Sequence, residues 1–351
     1  MLPKALEKKD LAGWVAALAE ARRVAGPVRK EISPADGSER FGWEFLADPE
    51  DLRLDYDLTV LGPKKFLWPP MQSLVHYDLD PADPKPEAVL EHEPMVLFGV
   101  HPCDVTAIGT LDAAFGQQVA DPHYLARRAD TAIIGLDCEK PCHESSFCLD
   151  MESLYPAKGY DLMLTDIGHA YYVEVATALG EALASAAHLR PAGPEDLKAR
   201  QAATERKRAA FHLKLPLEVK YLPEALDASY DSLVWQAIAR RCFSCGSCNT
   251  VCPTCYCFDV VDEIAADLKG GARVRRYDSC QLDPFAEVAG GESFRKERWS
   301  RLRHRMFRKG KYILERTGQS GCVGCGRCDR ACVASISIRD TFTQISGSRE
   351  S

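Results

Sequence analysis

No run of apolar residues in the opening of this chain suffices for a secretory leader or a membrane span. In "MLPKALEKKDLAGWVAALAEARRVAG" the longest, "WVAALA", is shorter than a signal-peptide core and far shorter than a span. A cytoplasmic protein without direct membrane insertion is the expectation. Excess positive charge is missing as well: 44 Lys and Arg against 51 Asp and Glu leave a net charge of −7, which argues against general nucleic-acid binding. There is no G-x-G-x-x-G after a strand-like run and no P-loop, so the chain has no recognisable cradle for a dinucleotide or a nucleoside triphosphate. Cysteine, by contrast, is abundant, with 15 residues. A reducing compartment disfavours disulfides, and a chain of this length can build a core without them, so the clustering of the thiols points to metal.

Local patterns organise the rest. "PMVLFGV" at 94 to 100 and "TAIIGL" at 131 to 136 are short, continuously apolar runs, as buried strands of a parallel sheet should be. Between them Val105, Ile108, Leu111 and Ala114 share a helical face and "PHYLARRAD" supplies a second helical piece, which predicts a β-α-β unit. "DLMLTDIGHAYYVEVAT" alternates on both sides of "DIGH" and predicts a hairpin. The opening stretch predicts a helix with Leu6, Leu11, Trp14, Val15 and Leu18 on one side. Residues 41 to 90 read as irregular, with extended pieces around "DLTVLGPKKFLWPP", where paired prolines forbid helix. A polar linking helix after "LRPAGP", an amphipathic helix in "YDSLVWQAIARR", a short hairpin over 258 to 280, a basic helix over 294 to 316 and a frayed tail after 339 complete the pattern.

Two cysteine runs carry the strongest signal. Cys242, Cys245 and Cys248 are spaced C-x2-C-x2-C, followed by Cys252 and Pro253; Cys322, Cys325, Cys328 and Cys332 repeat the spacing. One turn of backbone can wrap three thiolates around three corners of a cubane, and the fourth cysteine then points to a different cluster. The crossed assignment puts Cys242, Cys245, Cys248 and Cys332 on one [4Fe-4S] cluster and Cys322, Cys325, Cys328 and Cys252 on the other. Zinc ribbons are the alternative, but zinc normally takes two separated pairs. Val333 follows Cys332 where the usual pattern has proline. Some seventy residues separate the runs, so this part is similar to the α-helical ferredoxins. The fold expected is an α/β N-terminal domain with a partly parallel sheet over 1–228, an all-α ferredoxin domain over 229–340 and a flexible tail over 341–351.

A third site is expected in the N-terminal domain. Cys103 and Cys138 each follow the carboxyl end of a predicted parallel strand, so both emerge on the sheet edge where open α/β folds place ligands. Cys142 and Cys148 lie in the loop after the second strand. These four suggest a third [4Fe-4S] cluster, with Asp104 as a substitute ligand; four-thiolate zinc and inert buried thiols are the alternatives. His101 is either a hydrogen-bond donor to that site or an ordinary loop histidine. Cys255, Cys257 and Cys280 remain, either as packed thiols that tune the clusters or as a site for polysulfide or disulfide chemistry. The basic helix reads as a solvated face or a docking surface for an acidic partner. No general acid or base is assigned.

"GPKKFLWPP", "FGVHPCDVTAI", "DPHYLARRADTAIIGLDC", "RCFSCGSCNTVCPTCYCFDV", "RRYDSC" and "GCVGCGRCDRAC" together resemble the iron-sulfur beta subunit of cytoplasmic nickel-iron hydrogenases of the sulfhydrogenase type, and the related iron-sulfur subunit of anaerobic sulfite reductase. His101 departs from that family's usual arginine, and "CEKPCHESSFC" from its usual cysteine pair. The resemblance implies a non-catalytic electron-relay subunit. FAD and NAD(P) would sit on a diaphorase partner, and a hydrogenase or sulfite reductase catalytic subunit would lie on the other side. The chain lacks the paired C-x2-C sequences of a nickel-iron catalytic subunit.

Overall fold

A computed structural model of the chain describes residues 3–32, 37–79, 85–117 and 119–347. Eight strands form the larger sheet: β1 (Lys4–Glu7), β2 (Arg23–Ile32), β3 (Glu39–Phe45), β6 (Met95–Val100), β7 (Thr131–Leu136), β8 (Leu162–Asp166), β9 (Ala170–Val175) and β10 (Arg190–Pro191). Four more form a second sheet: β4 (Met71–Asp78), β5 (Pro86–Ala88), β11 (Phe258–Ile264) and β12 (Gly270–Tyr277). The larger sheet has the order β10-β1-β9-β8-β7-β6-β2-β3, and its central neighbours β2, β6, β7 and β8 run parallel.

Both expected buried strands are present, with every residue of β6 and β7 buried. The crossover between them is the helix Pro102–Gly116 followed by Pro122–Ala129. Pro102 and Pro122 each open a helix, where a missing N–H costs nothing. The β8–β9 hairpin is also as expected. Trp14, on the helix Leu11–Ala19, meets the Phe98 ring edge-on at 5.1 Å and donates from Nε1 to the Leu183 carbonyl at 3.0 Å. A buried indole thus contributes apolar area without stranding its N–H.

Several expectations change. Leu6 lies on β1, not on the opening helix, which begins at Leu11. The 41–90 stretch has its extended pieces as ordered strands, but within "DLTVLGPKKFLWPP" it adds the short helix Lys64–Leu67, which closes before the paired prolines. The 258–280 hairpin forms, but β12 pairs antiparallel with β4, so one sheet joins strands from both halves of the sequence. The C-terminal half therefore contains strand as well as helix. β4 lies between β12 and β5, so the hairpin satisfies an edge of β4 whose N–H and C=O groups would otherwise be unmet.

The basic helix begins at Arg298, runs to Phe307, passes through a π-helical turn at Arg308–Tyr312 and ends at Thr317. Its charges are not all solvated: Arg301, Arg305 and Lys309 are buried. The expected frayed tail is a helix, Ile338–Gly347, with Ile338, Thr341, Phe342 and Ile345 buried; the last four expected tail residues, 348–351, lie outside the described residues. Ile338, Phe342 and Ile345 join Leu226, Trp235, Leu302, Met306, Phe307 and Cys322 in a second apolar core. Burying each large apolar side chain there is worth about 1.5–3 kcal/mol, enough to order a short terminal helix.

Candidate metal centres

The two cysteine runs fold as the same loop. Gly246 (φ +80°) and Gly326 (φ +81°) open the short helices Ser247–Thr250 and Arg327–Arg330, and Ser244 (φ +53°) and Gly324 (φ +63°) occupy matching left-handed positions two residues earlier. Alternating left-handed residues curl the chain so that its N–H groups face inward. The Ser244 and Gly324 amides each donate to the sulfur of the preceding cysteine, Cys242 and Cys322, at 3.4 Å. The Ile336 amide does the same for Cys332.

The thiols sort across the runs. Cys248 has Cys242, Cys252 and Cys332 as electrostatic neighbours, whereas Cys322 and Cys328 both have Cys252. Cys325 also feels Cys252. Cys252 thus reaches all three leading thiols of the distant run as well as Cys248 of its own, and Cys332 stands beside Cys248 of the near one. Burial pushes the Cys322 thiol up to about 12 and Cys325 up to about 11, so thiolates here need positive charge close by. Arg305 supplies it beside Cys248, Cys328, Cys255 and Cys252, and Lys309 beside Cys252, Cys255 and Cys322. Lys309 Nζ also donates to Thr254 Oγ1 at 2.7 Å. Eight thiols with inward amides and buried cations suit soft, negatively charged iron-sulfur groups.

The N-terminal half clamps these loops. Lys64 of "GPKK" is buried and donates to the carbonyls of Cys252 and Cys255 at 2.9 and 3.0 Å; burial brings its ammonium down to about 8. Arg327 holds both carboxylate oxygens of Asp104 at 2.6 and 2.7 Å and gives its Nε to the Thr59 carbonyl. Asp104, expected as a substitute ligand, is therefore engaged in a bidentate ion pair. Ser153 Oγ donates to Val323 O at 2.6 Å and Phe147 N to Gly324 O at 2.7 Å. A Cβ on Gly324 would lie 2.5 Å from the Phe147 backbone, so only glycine permits this approach.

The four N-terminal cysteines do converge at the carboxyl edge of β6 and β7, but unevenly. Cys103 and Cys148 share a small buried group with Cys325, and Cys138 packs against it. The Cys138 and Cys142 sulfurs lie side by side. With them stands His101: its ring nitrogen and the two sulfurs all lie within 4.8 Å of one another. Cys255, Cys257 and Cys280 lie together beside Asn249, whose Nδ2 donates to Cys280 Sγ at 3.1 Å. Cys257 is a close neighbour of Cys280, and Cys255 of Cys252.

The sequence singles out Lys309 on the basic helix but not its place beside Cys252, and it leaves Lys64 and Arg327 unremarked. Their signal was present only as charged residues inside otherwise apolar or cysteine-rich motifs.

Part of the chain is similar to a known iron-sulfur domain. Residues 241–336 match the 4Fe-4S dicluster domain. The chain is 33% identical over 321 residues to sulfhydrogenase 2 subunit beta of Pyrococcus furiosus, covering 91% of each chain. No solved structure matches. Among the described residues no helix is long and apolar enough to cross a membrane.

Proposed function

Because the chain belongs to the sulfhydrogenase beta-subunit family, we propose that it is the electron-relay member of a multi-subunit oxidoreductase. Cys242, Cys245, Cys248 and Cys332 would hold one [4Fe-4S] cluster, and Cys322, Cys325, Cys328 and Cys252 the other. The observation that carries this reading is the position of Cys252 among the thiols of the second run. Each cluster supplies a one-electron couple without proton chemistry.

The protein's own part is electrostatic and mechanical. Arg305 and Lys309 hold positive charge where negative charge increases on reduction, and the Ser244, Gly324 and Ile336 amides donate to sulfur. Lys64 and the Asp104–Arg327 pair keep both loops seated. Residues 1–228 and 229–340, the latter of the α-helical ferredoxin type, are proposed as the two domains. Cys103, Cys138, Cys142 and Cys148 are proposed to supply a third metal centre in the first. Electrons would pass between a partner carrying FAD and NAD(P) and a hydrogenase catalytic subunit, or a sulfite reductase in the related complexes, in the cytoplasm.

Iron and acid-labile sulfide on anaerobically purified protein test the core of the proposal. About eight of each must belong to the ferredoxin pair, and Cys252→Ser should remove about half of them. Zinc with negligible sulfide would sink the reading. A self-contained sulfur reductase using Cys255, Cys257 and Cys280 is the second reading, favoured by the contact among those thiols. Sulfur reduction by the isolated chain, abolished by Cys257→Ala with iron content intact, would select it.

A further inference from the structure

The separation of donor atoms at the N-terminal centre decides what kind of group they can hold. In a cubane each thiolate binds a different iron, which sets sulfurs roughly 6 Å or more apart. Around a single tetrahedral ion, metal–sulfur bonds of about 2.3 Å and metal–nitrogen bonds of about 2.0 Å place the donors roughly 3.5–3.8 Å from one another. His101 Nδ1 lies 3.7 Å from Cys142 Sγ, and Cys138 completes a set whose members are all within 4.8 Å of each other. The ferredoxin cysteines form no such close set among the described residues.

The geometry points to His101, Cys138 and Cys142 as the chelating face of a single divalent transition-metal ion, zinc or ferrous iron. The inference rests on the proposed third metal centre and changes its content, replacing a four-thiol cubane with a mononuclear His-Cys-Cys site. Cys103 and Cys148 pack with Cys325, and Cys138 touches that group from the chelating face.

Three further observations support it. His101 is buried and its ring is fixed before any ligand arrives, stacked on Tyr56 at 4.1 Å and 5°. Tyr56 is in turn held by donating to the Gly99 carbonyl at 2.7 Å. A histidine that served only the helix start would not need this second anchor, because the Asp104 and Val105 amides already bond the His101 carbonyl. Charge also balances. Two thiolates and a neutral imidazole cancel a divalent cation, and the adjacent Asp104–Arg327 pair is already neutral. A net-neutral site suits burial, whereas the ferredoxin thiols keep Arg305 and Lys309 for a more negative group. Mechanically, such an ion would tie the loop after β6 to the loop after β7, holding the edge against which the segment 322–328 is seated.

The test is metal and sulfide analysis of the full-length protein, purified anaerobically from cells supplied with both iron and zinc. The expected result is about one metal ion per chain in excess of the iron matched by sulfide. Its identity distinguishes zinc from ferrous iron. Cys142→Ser and His101→Ala should each remove that ion and leave sulfide and visible absorption unchanged, while His101→Cys restores it. About twelve sulfides per chain, with Cys142→Ser removing about four, would overturn the proposal in favour of a cubane. No metal in excess of sulfide, or an excess ion that persists in His101→Ala, would overturn it equally. Near-zero sulfide in the unaltered protein would instead refute the ferredoxin pair, so the two failures are distinguishable.

Discussion

Replacing Asp104 with asparagine isolates the charge that joins the two halves of the molecule. Asp104 and Arg327 are each 1% exposed in their side chains, and both carboxylate oxygens face the guanidinium. Asparagine keeps the shape and one acceptor but removes the negative charge, which leaves the Arg327 cation buried without compensation. Breaking such a pair from one side costs about 3–5 kcal/mol, more than a neutral hydrogen bond, because the remaining ion is still desolvated. At about 2 °C per kcal/mol for a large domain, the unfolding midpoint should fall by about 6–10 °C. The assay is anaerobic far-UV circular dichroism, followed in parallel with the rate of iron loss to a chelator. Arg327 sits between Cys325 and Cys328, so chelation should accelerate. Asp104→Asn combined with Arg327→Gln removes the stranded charge and should recover at least half of the loss. A midpoint within about 2 °C of the parent, or a double variant as unstable as the sum of both singles, would refute the reasoning.

Other perturbations test separate parts of the structure. Arg305→Gln removes a buried cation beside Cys248, Cys328, Cys255 and Cys252; reduced clusters carry more negative charge, so potentials should fall by on the order of tens of millivolts in an EPR-monitored titration, and a rise would contradict the argument. Gly324→Ala forces a Cβ against the Phe147 backbone from a left-handed conformation and should release the second loop, seen as lost iron and sulfide. Gly318→Ala, equally left-handed but facing open space, should cost only about 1 kcal/mol in thermal stability. Burial, with Arg295 and Arg308 nearby, brings His304 down to about 4 from its ordinary 6.5. The folded state thus binds this proton less readily than the unfolded chain. Its contribution is complete above 6.5 and lost as pH falls toward 4, and His304→Gln should flatten stability across that window in pH-dependent melts.

The cysteine spacing by itself determined the matching loops, since C-x2-C-x2-C with a glycine or serine at the left-handed positions has few ways to fold. The apolar runs of β6 and β7 likewise determined a parallel pair, because residues buried on both faces need helices on both sides. Other features stayed hidden for a physical reason: charge reads as solvent-facing unless its partner is known. Arg301, Arg305 and Lys309 read as part of a solvated or docking face, and only packing placed them inside. The pairing of β12 with β4 depends on a free strand edge, which no local pattern encodes. His101 is a third case, since two residues before Cys103 in sequence it reads equally as a donor to the third site or as a loop histidine. The β-α-β crossover and the Tyr56 stack carry it to Cys138 and Cys142, thirty-seven and forty-one residues away along the chain. Sequence spacing decided which thiols could act together, and tertiary structure decided which charges and which histidine stand beside them, because those contacts arise only when distant segments exclude water from the same volume.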